Sequence, residues 1–243
     1  MAITSRLQSR TALVIAAMCA ILSAGAQAAG NARTETRAAT GFNGIALGVP
    51  ADVELRQGTT EGVSITADAD VLARIETVVE GGTLRIRWAK GWADAPRTGT
   101  IAIVVDARGI GNLSVGGTGR IHAERLATRN LRADIGGAGQ VAIDALDAAT
   151  VGVSIGGSGT AKLAGRAETF NVSVAGSGEL VAGRLATRDA HVSVTGSSTA
   201  AVRASDTLSA SVVGSATVRY YGSPKVSRSV VGTGRVIAAA DAT

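Results

Sequence analysis

Glu124 and Asp144 stand twenty residues apart. If the chain between them completes one turn of a regular coil, their carboxylates lie about one strand spacing, roughly 5 Å, from each other. That is near the separation at which retaining glycosidases set a nucleophile against a general acid. Around them, "GGTGR", "GGAGQ" and "GGSGT" have the glycine density of phosphate-cradling loops and of calcium-binding nonapeptides. His122 and His191 are the two histidines, and Cys19 is the single cysteine. Paired-acid hydrolysis, phosphate binding and metal binding are the chemistries these residue types allow.

Each of these weakens against its neighbours. A phosphate loop needs a helix start behind the glycines and a lysine at fixed spacing; "GGSGTAKLAG" offers Lys162, but strand-type residues flank it and the sister copies lack it. A calcium nonapeptide needs an aspartate soon after G-G-x-G. The three full matches are followed by "RIH", "QVA" and "TAK", which end at His122, Ala142 and Lys162. The column holding Glu124 and Asp144 continues as Ala164, Gly183, Arg203, Tyr221 and Ala239, with no third group to complete an acid–base set. Two solvated carboxylates at a corner is the favoured reading. His122 and His191 fall in different columns, a poor metal pair. No catalytic, cofactor-binding or metal-binding residue is therefore expected, and no cofactor.

The glycines belong to something larger. "LSVGGTGRI", "ADIGGAGQV", "VSIGGSGTA", "VSVAGSGEL", "VSVTGSSTA", "ASVVGSATV" and "RSVVGTGRV" follow one another down the chain. Their central glycines are Gly117, Gly137, Gly157, Gly176, Gly196, Gly214 and Gly232, at intervals of 20, 20, 19, 20, 18 and 18 residues. Two positions before each glycine stands a β-branched residue: Val115, Ile135, Ile155, Val174, Val194, Val212 and Val230. Such residues suit a buried strand position. One position earlier lies a small polar column, Ser114, Asp134, Ser154, Ser173, Ser193, Ser211 and Ser229. Side chains alternate along a strand, so this ladder points outward. Asp134, its one acid, is expected to bond neighbouring hydroxyls. A second apolar column, Ile121, Val141, Ala161, Leu180, Ala200, Val218 and Val236, follows each turn. Each period thus predicts two short strands, a tight glycine turn and a looser corner. That is one coil of an all-β fold, a β-solenoid (right-handed β-helix-like) of about seven coils of 18–20 residues across 113–243. One coil cannot bury its apolar face, whereas a stack shares a continuous core.

Composition agrees. The chain is 46% hydrophobic but 2% aromatic, so small aliphatic side chains must build the core, as stacked repeats allow. At the N-terminus, Arg6 and Arg10 precede the twelve-residue apolar run Thr11 to Leu22, too short to span a bilayer comfortably. "AQA" then ends at Ala28 in the form of a cleavage site. Residues 1–28 read as a secretory signal peptide cut after Ala28. Cys19 lies inside that segment, preceded by Met18 rather than by small residues, which argues against lipidation. The mature chain then has no cysteine and no later apolar run long enough to cross a membrane. Loss of Arg6 and Arg10 lowers the formal charge from +5 to +3, too weak a bias to imply nucleic acid.

Residues 29–36 read as a short linker and 37–112 as a β-rich section of the same layered unit. "FNGIALGVPADVELRQG", "GVSITA" and "GGTLRIRW" alternate apolar and polar residues, and a single helical turn is expected around Val71 to Arg74. Trp88 and Trp92 are expected to pack at an entrance loop. Here the chain resembles the family described as "putative auto-transporter adhesin, head GIN domain". The matching features are Phe42 to Val53, "LARIETVVEGGTLRIRW", the ladder of G-x-G turns, and "VRYYGSPKV" at 218–226 before the last "VVGTGRV". They span about 37–237. The resemblance implies a head GIN β-solenoid domain over 37–243, in an exported, surface or periplasmic bacterial protein without established activity. The chain ends at Thr243 with no translocating barrel, which tells against self-display on the outer membrane.

Two functions follow as expectations. The leading one is a non-enzymatic envelope protein, adhesin-like or structural, presenting an extended strand face to an envelope or extracellular protein or polysaccharide. The last coil, with little beyond Val236 to cover it, is expected to support some self-association. The alternative is a polysaccharide lyase or hydrolase on a β-helix. The absence of a recurring acid cluster and the scarcity of aromatic rings tell against it.

Overall fold

The computed structural model describes residues 32–91 and 100–240. The signal segment with its cleavage site, Cys19 and Trp92 lie outside the described residues. The N-terminal section comprises strands β1 (Ala32–Arg37), β2 (Gly44–Leu47), β3 (Asp52–Gln57) and β4 (Gly62–Asp68), then the helical turn α1 (Ala69–Leu72), then β5 (Ile75–Glu80), β6 (Thr83–Trp88) and β7 (Ala102–Ala107). The helical turn begins earlier than expected. Residues 32–36, read as linker, form most of β1 instead. Thr34 and Thr36 face Thr66 and Ser64 across an antiparallel pairing with β4, and β-branched threonines suit that pleat.

The repeat follows as β8 (Asn112–Gly117), β9 (Arg120–Gly137), β10 (Gln140–Gly157), β11 (Thr160–Gly176), β12 (Glu179–Gly196), β13 (Thr199–Arg203), β14 (Thr207–Gly214), β15 (Thr217–Tyr221), β16 (Lys225–Gly232) and β17 (Arg235–Ala238). All stack in parallel as a β-solenoid of about six turns, one fewer than the glycine corners that bound them. Segments entering the glycine turns form one wall, wall A: β8, the C-terminal halves of β9 to β12, then β14 and β16. Segments leaving the turns form wall B: the N-terminal halves of β9 to β12, then β13, β15 and β17.

Burial explains the periodicity. In the coil of β9, Ile121, Ala123, Leu126, Leu131, Ala133 and Ile135 are all buried, and the residues between them face out. Each buried aliphatic side chain is worth roughly 1.5–3 kcal/mol, and each lies on its counterparts one coil above and below. Phe170 is fully buried between Val151 and Ala190 in register, so a large ring is fitted by a small neighbour. Val230 departs from its column: it is 38% exposed, because no described coil lies beyond it.

The coil from Gly157 to Gly176 is one residue shorter than its predecessor, and the wall absorbs the difference by register shifts. One falls between Ile143 and Leu146 against β11, the other between Lys162 and Ala164 against β12. Gly165, at φ 124°, takes the shift with its backbone against that of Leu146.

Layer order at the N-terminal end is not chain order. β2 and β3 form a coil directly beneath β8 and the start of β9. β6 and β7 lie beneath β2 and β3, again in parallel. β5 and β4 then pair antiparallel with β6 and β7, and β1 covers β4. After β1, the chain builds the layer of β2 and β3 and only then returns beneath it with β4 to β7.

Candidate functional site

Seven glycine turns join wall A to wall B, and the central glycine of each has positive φ, from 94° at Gly117 to 123° at Gly176. At Gly157, with φ 118°, an added Cβ would come 2.7 Å from the Gly137 carbonyl oxygen. Backbone conformation and close approach of coils therefore both require glycine there. These corners are architecture, and the outward surfaces on either side are where chemistry could take place.

On wall A the polar ladder runs in register from Ser114 through Asp134, Ser154, Ser173, Ser193 and Ser211 to Ser229. The first three are half-buried and the last four exposed. A parallel outward column carries Arg132, Gly152, Asn171, His191 and Ser209. Between the two columns runs a shallow groove of about 400 Å³. Asp134 does not bond hydroxyls as expected. Its carboxylate takes the Arg132 Nε hydrogen at 2.8 Å, because Arg132 sits two residues away on the same face of the strand. Beyond that pair the lining of this groove is hydroxyl, amide, imidazole and small aliphatic.

Wall B is charged, and its charge is divided. Toward the N-terminal end lie Asp52, Glu54, Glu124 and Asp144 with Arg120 and His122. The sequence pairs Glu124 with Asp144, but the structure engages Asp144 elsewhere. His122 Nε2 lies 2.9 Å from Asp144 Oδ2, and His122 Nδ1 lies 3.0 Å from Glu54 Oε2. The hydrogen bond to Glu54, then that to Asp144, raises the imidazole pKa above its ordinary value. In the protonated imidazole both ring nitrogens donate to carboxylates, and in that form neither can take a proton from a substrate. The array is a charge bridge across three coils rather than a general base. Glu124 instead lines a separate depression with Glu54, Arg56 and Arg125.

Glu54 was missed because its strand carries no glycine turn to index it. The legible signal is the alternation in "DVELRQ", which sets Glu54 outward; its pairing with His122 comes only from the register of β3 on β9. Among the described residues no group of three His, Cys, Asp or Glu side chains is placed to hold a metal ion. No described helix is long and apolar enough to cross a membrane. Trp88 packs against the core.

Toward the C-terminal end, wall B carries Lys162, Val181, Arg203, Arg219 and Tyr221. The count-based column breaks here: the register shift sets Ala164 against Arg184 instead of Gly183. A second groove, about 370 Å³, lies at this irregularity, between Asp144 and Tyr221.

The stacked parallel coils and divided outer walls place the chain among the β-solenoids. Within them it belongs to the family described as "putative auto-transporter adhesin, head GIN domain", which it matches over residues 41–224. The crystal structure of a "putative adhesin" from Bacteroides fragilis is similar at 26% identity, with a TM-score of 0.77 over 86% of this chain and 97% of that one. A "putative lipid binding protein" from Parabacteroides distasonis shares the fold at 23% identity and TM-score 0.71, covering 86% of this chain and 97% of its own. A "putative adhesin" from Parabacteroides merdae does so at 22% identity and TM-score 0.68, with the same coverage of 86% and 97%. No curated protein matches the chain in sequence.

Proposed function

We propose that the mature chain is an exported, non-enzymatic binding module of the bacterial envelope that holds a polymer or protein partner along wall A. The observation carrying this reading is the in-register ladder from Ser114 to Ser229 beside its groove. It repeats one set of hydrogen-bonding groups at about 4.8 Å along the stack, which suits a partner that is itself extended. Family membership supports a surface-binding role. The engagement of both His122 nitrogens by carboxylates tells against acid–base turnover at the most elaborate charge cluster described.

The test is binding of mature protein, starting at Ala29, to immobilised envelope fractions and to a panel of envelope and plant polysaccharides. Reducing ends and unsaturated products are followed in parallel. Ser173→Lys with Ser193→Lys places two exposed charges in adjacent rungs, so binding should fall at least tenfold while Tm holds. Unchanged binding would remove wall A from the reading. Turnover that disappears in Glu124→Gln or Asp144→Asn would replace it with an enzyme. Mass spectrometry of the exported chain should find an N-terminus at Ala29; full-length chain in the cytoplasm would sink the export step.

A further inference from the structure

The groove on wall B is independent of the wall A contact, and it originates in the one-residue deletion. β11 is out of register with both neighbours at this level, so the wall is interrupted where Asp144, Lys162, Ala164, Gly183 and Arg184 meet. Irregularities of this kind re-aim side chains and recur beside functional sites. The volume, about 370 Å³, falls among small-ligand clefts.

The two ends of the groove differ in chemistry. At one end Tyr221 reaches back over two coils: a Cβ on Gly183 would lie 2.7 Å from its Cε2, so the ring rests where residue 183 has no side chain. Arg203 fixes this arrangement, with its guanidinium carbon 5.5 Å from the ring centroid and its Nε donating to the Gly183 carbonyl at 2.9 Å. Few other rings are placed this way. Phe42 and Phe170 are buried, and Trp88 and Tyr220 pack on the core. At the other end Asp144 is held by His122 through Oδ2, which leaves Oδ1 to accept hydrogen bonds. About 10 Å, two coil spacings, separate the coil of Asp144 from the ring's seat at Gly183. Lys162 stands on the coil between them and Arg184 directly beside Gly183; both are exposed, and among the described residues neither has an ion-pair partner.

We propose that this groove binds a carboxylated sugar unit of an acidic polysaccharide. Its carboxylate would lie between Lys162 and Arg184, its ring against Tyr221 and its hydroxyls toward Asp144. The cations supply charge complementarity, the ring an apolar platform with a polar tip, and the carboxylate an acceptor for hydroxyl groups.

Calorimetric titration of the mature protein with a galacturonic acid tetrasaccharide, against a neutral galactose tetrasaccharide, tests this. The acidic sugar should bind at least tenfold more tightly, and the preference should shrink as salt rises. Lys162→Gln with Arg184→Gln should abolish it. Gly183→Ala is the decisive variant. Gly183 has no positive φ, and the clash is with the end of a movable ring. Tm should therefore hold while affinity falls at least tenfold. Ser173→Lys with Ser193→Lys, on the opposite wall, should leave this affinity unchanged, which separates failure here from failure of the wall A reading. Equal affinity for the two sugars, no binding of the acidic one, or affinity indifferent to both Gly183→Ala and the cation variant would overturn the proposal.

Discussion

The two ends of the solenoid solve the same problem differently. A parallel stack ends in unpaired backbone and uncovered core, both invitations to another chain. At the N-terminal end β4 and β5 pair antiparallel with β7 and β6, and β1 covers β4. Arg37 fastens this cover. Its side chain donates to the Ile75 carbonyl at 2.6 Å and to the Leu72 carbonyl at 2.9 Å. At the C-terminal end no such cover is described: β16 is exposed along its whole length, and Val226 and Val230 are each 38% exposed. One substitution marks this end. The inward column Leu113, Ala133, Val153, Val172, Val192 and Ala210 ends in Arg228, which reaches toward the Val236 carbonyl at 3.4 Å. One end is closed by added strands; at the other, the last described rung of this inward column is a charge.

The interior of the stack should be less tolerant than either end, and the glycine turns measure this. Gly117 and Gly157 both have positive φ, so valine costs of order 1–3 kcal/mol in strain at each. Only at Gly157 does the added Cβ also meet the coil below, at 2.7 Å; at Gly117 nothing lies within 4 Å. Thermal unfolding should rank Gly157→Val as the largest loss and Gly117→Val next. Ser158→Ala, on an exposed position, should stay within about 0.5 kcal/mol of the natural chain. Equal losses at the two glycines would mean that coil-on-coil contact adds nothing to the turn.

The closed end comes next. Arg37→Ala removes the hydrogen bonds to the Ile75 and Leu72 carbonyls together with those to Glu35 and Thr77, and a hydrogen bond from a charged donor contributes about 1.5–3 kcal/mol. Hydrogen exchange should speed up in β1 and β4 while the coils from β9 to β12 keep their protection. Uniform loss through the molecule would instead show that cap and stack unfold as one unit.

The repeat was legible in the sequence because its chemistry is local. A positive φ selects glycine, an inward rung selects Val or Ile, and both recur at the coil period. The N-terminal layering was not, because nothing in "ALGVPADV" or "GGTLRIRW" states which strand lies beneath which; β2 and β6 adjoin only through pairing. The candidate site divides the same way. The ladder from Ser114 to Ser229 reads off the columns. The His122 bridge needs Glu54 brought from 68 residues away, and the wall B groove needs a register shift that counting residues conceals.

For the open end the readout is association rather than stability. An inward charge is a known guard on sheet edges, so Arg228 is expected to oppose association through the last described coil. Arg228→Val completes an apolar column beside Val226 and Val230, so sedimentation should show oligomers at concentrations where the natural chain sediments as a smaller species. A variant no more associated than the natural chain would leave Arg228 without this role.

The smallest effect belongs to His122, whose partners lie partly in water, where screening weakens ion pairs. Its pKa is raised above 6.5 in the folded chain by the hydrogen bonds to Glu54 and Asp144. A raised folded value means that the charged bridge contributes its full stability below the unfolded value of 6.5 and loses it as pH climbs through the folded one. The stability advantage of the natural chain over His122→Gln should therefore be greatest in mildly acidic buffer and fade toward alkaline pH. Paired thermal melts across that range measure it. Because Glu54 lies on β3 and Asp144 on β10, with His122 on β9 between them, the bridge joins the N-terminal section to the repeat. The fading should thus be accompanied by faster hydrogen exchange in β3, on the N-terminal side of that joint. An advantage that grows with pH would mean that the fold favours the neutral imidazole, and would overturn the charged bridge.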